Sequence, residues 1–171
     1  MGREGVLELV KFVEQGGTLI TEGSTATIFP AYGITSTLKV EEPGQLFVRG
    51  SILRGSFTDR THPIAYGYDA PDLPVYFDQA PVISVVEDQR AYGSSGSPKP
   101  KVILRVPASA DDILLSGSLS HGEQLAGRAL LVDQPLGAGH IVMFALRPFW
   151  RAQTHGAFSL VFNAILNWND F

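Results

Sequence analysis

LLVDQPLGAGHIVMFALRPFWRAQTHGAFSLVFNAILNW, residues 130 to 168, is the stretch whose reading decides the fold. Ala129–Gln134 is a short apolar run, Leu136–Gly139 a Gly-rich turn and His140–Leu146 a second apolar run. Two such runs joined by a short Gly-containing turn read as a β-hairpin. A loop over Arg147–Gly156 follows, carrying Pro148, two arginines and His155. A helix is expected from about Ala157. Phe158, Val161, Phe162, Ile165 and Leu166 follow the i, i+3, i+4, i+7, i+8 pattern of one buried stripe, which places Phe162 in the core. Strand, polar loop and amphipathic helix form the unit from which α/β ligand sites are built, with the polar residues beyond the carboxyl end of a strand.

Upstream, Val6, Leu9, Val10 and Val13 share a helix face, so Glu4–Gln15 reads as a helix stopped by Gly16-Gly17. Thr18–Thr21 is then a short strand, and Glu22-Gly23-Ser24-Thr25 a tight turn with a helix start at Ser24 or Thr25. These elements suggest one half of a doubly wound α/β layer. The strands Thr18–Thr21, Ala129–Gln134 and His140–Leu146 are expected to share one sheet, with both helices packed on it.

The middle of the chain is less periodic. Short strands are expected at Leu38–Val40, Leu46–Val48, Val82–Val86, Val102–Val106 and Ile113–Leu115. Gly50–Gly55 reads as a turn into another short element, and His62-Pro63 and Pro71–Pro74 as breaks in a loop-rich region. The aromatic stretch Tyr66–Phe77, with Asp69, Asp72 and Asp78, reads either as a pocket lining or cation site, or as packing over a sheet edge. Ala91–Pro100 has the composition of a surface loop.

At 171 residues, with 44% hydrophobic and 18% charged, the chain suits one globular domain with a sizeable core. The net charge is −4 and no basic run exceeds two residues, which argues against a nucleic-acid partner. No apolar run approaches a membrane span, and the amino terminus reads as an amphipathic helix instead of a signal peptide. The absence of cysteine excludes disulfides, thiolate metal sites and a cysteine nucleophile. The histidines at 62, 121, 140 and 155 lack the spacing of a zinc motif, so no metal or cofactor is expected.

Three stretches carry a resemblance: GGTLITEGS, THPIAYGY, and the segment from Leu114 to Leu166 with its Arg147–Gly156 core RPFWRAQTHG. Together they resemble the class I glutamine amidotransferase-like domain at the carboxyl end of some bacterial zinc-carboxypeptidase-like proteins. The resemblance implies a flavodoxin-like layered sheet with flanking helices, here with a β-rich insertion. It implies an exported parent protein and a metallopeptidase-like domain as partner. Such domains begin with a strand-helix-strand portion ahead of the helix at Glu4, so the chain is expected to be a carboxyl-terminal fragment or a short reading frame. With that portion missing, Thr18–Thr21 becomes a sheet edge carrying neither charge nor proline, and a homo-oligomer, most simply a dimer, is expected through it.

Active members of the family place a cysteine at a sharp strand-to-helix turn. The matching position here is Glu22 or Gly23, neither capable of thiol chemistry. The leading expectation is therefore a non-catalytic accessory domain with a binding or assembly role. The alternative is a small ester or lactone hydrolase with Ser24 as nucleophile, His155 as base and Asp133 orienting the histidine. Against it, the chain has no G-x-S-x-G motif, and Ser24 also fits a helix cap with His155 packed near the last helix. Glu22, Arg147 and Arg151 are the candidate ligand-binding residues. Paired guanidiniums suit a carboxylate or phosphate, or else an ion pair that pins the loop. Gly137 and Gly139 lie in a hairpin turn and not at a strand-to-helix turn, so they do not cradle phosphate.

Overall fold

The computed structural model describes residues 2–79, 81–86 and 98–171. Helix α1 spans Arg3–Glu14 and buries Val6 and Val13, with Leu9 and Val10 packed beside them. It ends at Gly16, whose φ of +106° suits glycine alone. Strand β1, Thr18–Glu22, follows, and then a 3-10 turn over Gly23–Thr27 and the single-turn helix α2, Ile28–Ala31. Strands β2 (Leu38–Glu41), β3 (Phe47–Phe57), β4 (Asp72–Phe77), β5 (Val82–Val85), β6 (Lys101–Arg105) and β7 (Leu114–Ser120) occupy the middle of the chain. The hairpin β8 (Ala129–Leu136) and β9 (Gly139–Phe144) leads to helix α3, Phe158–Leu166.

The nine strands of the described residues belong to one sheet, in the order β1-β9-β8-β6-β3-β4, with β5 joining β2 and β8, and β7 joining β3. The fold is mixed α/β. β1 runs parallel to β9, Thr18 opposite His140 and Glu22 opposite Phe144, and every other pairing among the described residues is antiparallel. The expected sharing of one sheet by β1, β8 and β9 is met. α1 packs on β9 and β1, and α3 packs on the short 3-10 turn Pro63–Ala65. The core is built from the fully buried β8–β9 side chains Leu131, Val132, Val142 and Phe144, together with Leu53, Ile103 and Leu160.

Three sequence expectations are corrected. Gly50–Gly55 is not a turn but the middle of β3. Gly50, at φ +58°, sits where the β3–β7 register slips between Arg49 and Ile52, so the glycine marks an irregularity inside a long strand. Asp72–Phe77, read as a proline-broken loop, is β4. Pro74 is tolerated because β4 pairs only with β3 and so lies at an edge. The stripe on the last helix is out of phase: the buried residues are Ala157, Leu160, Val161 and Ala164, while Phe162 is 52% exposed. Leu160→Ala is therefore expected to cost about 2–5 kcal/mol and Phe162→Ala less than about 1 kcal/mol in the dilute chain, read from urea midpoints. The loop expected over Ala91–Pro100 lies outside the described residues except for 98–100.

Candidate functional site

The parallel pairing of β1 and β9 sends both strands out at the same edge of the sheet. Beyond β1 the chain turns at once. Gly23 takes φ +55° and is buried, and Thr25 closes the turn: its hydroxyl accepts from the Glu22 amide at 2.9 Å and donates to the Glu22 carbonyl at 2.7 Å. Beyond β9, the Arg147 amide donates to the Tyr76 carbonyl at 3.2 Å, which fastens this loop to β4. The Arg147 side chain crosses to Gly23. A Cβ placed on Gly23 would lie 3.6 Å from Arg147 Nε.

Trp150 organises the rest of the edge. Its ring stacks on Tyr76 at 5.8 Å, and the guanidiniums of Arg147 and Arg151 lie 5.1 and 5.7 Å from its centroid. Such contacts hold a cation by the negative face of the ring. Arg147 also stands 4.0 Å from Asp78. Arg151 and Ala152 take φ +49° and +54°, two successive non-glycine residues in left-handed conformation. Backbone strain of that kind costs of order 1–3 kcal/mol per residue and gathers at functional sites. The Tyr66–Phe77 stretch contributes Tyr76 here, while Asp72 bonds Ser56 at 2.6 Å and Arg54 at 3.2 Å and so serves β3–β4.

The structure thus gathers Glu22, Gly23, Arg147 and Arg151 at one sheet edge. It does not assemble the Ser24, His155 and Asp133 triad. No hydrogen bond joins Ser24 to His155 among the described residues, and His155 packs edge-on against Phe158 at 5.4 Å. Asp133 is committed elsewhere. Its fully buried carboxylate accepts from His140 Nδ1 at 2.8 Å and from His62 Nε2 at 3.2 Å. His62 Nδ1 accepts the Ile64 amide at 3.3 Å, which leaves its proton on Nε2 facing the aspartate. Burial pushes the Asp133 carboxyl upward, but the bonds from His140 and His62 outweigh it and hold the group below the ordinary carboxylate range. Phe171 lies 5.4 Å from both imidazoles.

The pairing of His140 with Asp133 went unrecognised in the sequence although its signal was present. With a two-residue turn at Gly137-Ala138, Pro135 falls opposite His140, so Asp133, two residues earlier, shares its face. His62, from a distant loop, gave no such signal. An aspartate on Nδ1 is the arrangement that orients a histidine base, yet no hydroxyl bonds His140 among the described residues. No group of three or more His, Asp or Glu residues suited to a metal ion occurs among the described residues.

No protein-family profile matches the chain, and no curated protein matches it. Solved structures do. A cytoplasmic protein from Salmonella typhimurium LT2 superposes with TM-score 0.57 at 12% identity, covering 96% of this chain and 60% of that one. A second Salmonella typhimurium cytoplasmic protein gives 0.54 at 14% identity, covering 97% and 61%. A protein from Bacteroides uniformis described as ThuA-like gives 0.52 at 11% identity, covering 98% and 64%. At these identities the likeness is one of fold, and the chain spans about three-fifths of the length of those structures.

Proposed function

We propose that this chain is a non-catalytic amidotransferase-like domain, part of a flavodoxin-like layered fold, with a binding or assembly role in a carboxypeptidase-like protein. One observation carries the reading: Gly23 occupies the left-handed position of the turn after β1, with Arg147 over the place a side chain would fill. A nucleophile belongs at such a strand-to-helix turn, and glycine has none to offer. The likeness to a ThuA-like structure, a fold related to glutamine amidotransferase-like domains, supports the same reading. Arg147 and Arg151, gathered around Trp150, are the residues that would meet an anionic ligand at this edge. The partners on this reading are a metallopeptidase-like domain of the parent protein and a second copy of the chain.

The hydrolase alternative loses its orienting group, because both oxygens of Asp133 are bonded to other histidines. The purified chain is expected to release no ammonia from glutamine, and Ser24→Ala is expected to leave any trace esterase signal unchanged. Glutamine turnover that persists through repurification would sink the proposal. Loss of an esterase signal on Ser24→Ala would revive the hydrolase.

A further inference from the structure

Helix α3 buries one side and leaves the other to solvent. Phe162, Ile165 and Leu166 are 52%, 53% and 75% exposed, and Trp168 just beyond is 50% exposed. Phe149 from the preceding loop extends this surface, its ring 5.1 Å from Phe158 and 5.8 Å from Phe162. No Lys, Arg, Asp or Glu occurs from Ala152 to Asn169. A helix apolar on nearly every side belongs in a setting that covers it, and contiguous exposed apolar surface marks an interaction site. We propose that this face is a two-fold interface between two copies of the chain, α3 of one lying antiparallel against α3 of the other. The inference rests on the assembly role proposed above and not on the missing nucleophile.

Area, charge and the rim of the patch favour a second copy as occupant. The exposed parts of these side chains offer about 500–600 Å² per protomer, so that two copies together reach the roughly 1,000 Å² a specific interface needs. An isologous contact sets each patch against its own twin, and an uncharged patch brings no like charges together. At the rim, Arg151 precedes α3 and Asp170 follows it, both exposed, and neither forms an ion pair among the described residues. Antiparallel helices set the amino end of each beside the carboxyl end of the other. On this arrangement each exposed Arg151 turns from the Trp150 ring to Asp170 of the second copy, and Arg147 remains at the anion-binding edge. The open edge of β1 is a separate place for association and is distinguished by the test.

Sedimentation equilibrium over a wide dilution series reads the assembly. The expected species has twice the 18.5 kDa of the chain. Phe162→Glu is expected to weaken it roughly thirtyfold or more, as loss of an interface anchor does. The far-UV circular dichroism should persist, because the side chain is half exposed. Arg151→Asp and Asp170→Arg should each weaken the dimer, and the two together should restore it. A monomeric wild type, heterogeneous aggregates, a dimer indifferent to Phe162→Glu, or a double swap no tighter than either single change overturns the proposal. Glutamine turnover by the same sample would count against the non-catalytic reading and leave this interface standing.

Discussion

Asp133→Ala is expected to destabilise the fold by about 3–4 kcal/mol, because it strands the imidazole donors of the buried His62 and the partly buried His140 at a cost of roughly 1–3 kcal/mol each. His62 is the more sensitive, being as buried as the aspartate and already committed at Nδ1 to the Ile64 amide. The loss is a large share of a domain's total stability and reads directly as a shift in urea midpoint. The same carboxylate gives stability an acid limb. Its folded value lies below its unfolded value, so its contribution is complete above the unfolded carboxylate range, near pH 4. It drains away as pH falls through the lower folded value. Asp59 and Glu41 are lowered as well, by hydrogen bonds from Thr61 and Ser84 working against burial, so the wild-type curve is a composite. The difference between wild type and Asp133→Asn isolates the share of Asp133, and parallel acid limbs in the two proteins would refute it.

Gly139→Ala is the second change with a large expected effect, about 3 kcal/mol, at the upper end of what overpacking costs. A Cβ there would stand 2.2 Å from the Val13 carbonyl oxygen and 2.3 Å from that of Gly17. Neither atom is the far end of a flexible side chain. Both belong to the backbone where α1 gives way to β1, and that backbone is tied to the β8–β9 turn by bonds from Ala138 to Glu14 and from His140 to Gly17. Gly137, at φ +62° in the first central position of the turn, supplies the conformation that a type II′ hairpin requires. Gly44→Ala, with nothing within 4 Å of the added methyl, is the matched control and should stay within about 0.5 kcal/mol. Equal midpoints for the two variants would show that the hairpin does not lock against the helix end.

What was legible in the sequence was whatever a local pattern encodes. The α1 stripe, the Gly16 stop, β1 and the β8–β9 hairpin follow from periodicity and turn chemistry, and they fix the edge where Gly23 and Arg147 meet. The phase of α3 was not legible. FSLVFNAIL is apolar on nearly every side, so stripes through Phe162 and through Leu160 fit equally well, and the Pro63–Ala65 turn decides between them. β4 was hidden because Pro74 reads as a breaker, and only the sheet order reveals that it sits at an edge. The candidate triad went astray at Asp133, which is held by His140 in its own hairpin and by His62 on a loop some seventy positions earlier in the chain.

The one parallel pairing among the described residues bears on how the molecule reaches its folded state. Joining β1 to β9 brings residues 18–22 beside residues 140–144, with seven strands among the described residues made of intervening chain. The entropy of closing that long segment must be lost before any of the pair's contacts form, whereas the β8–β9 hairpin closes across two residues. Distant pairings of this kind slow folding. The hairpin can form early, but the edge where Gly23 meets Arg147 exists only after the two ends of the chain have found each other. Its geometry is therefore a late product of folding, set by the most costly closure in the sheet.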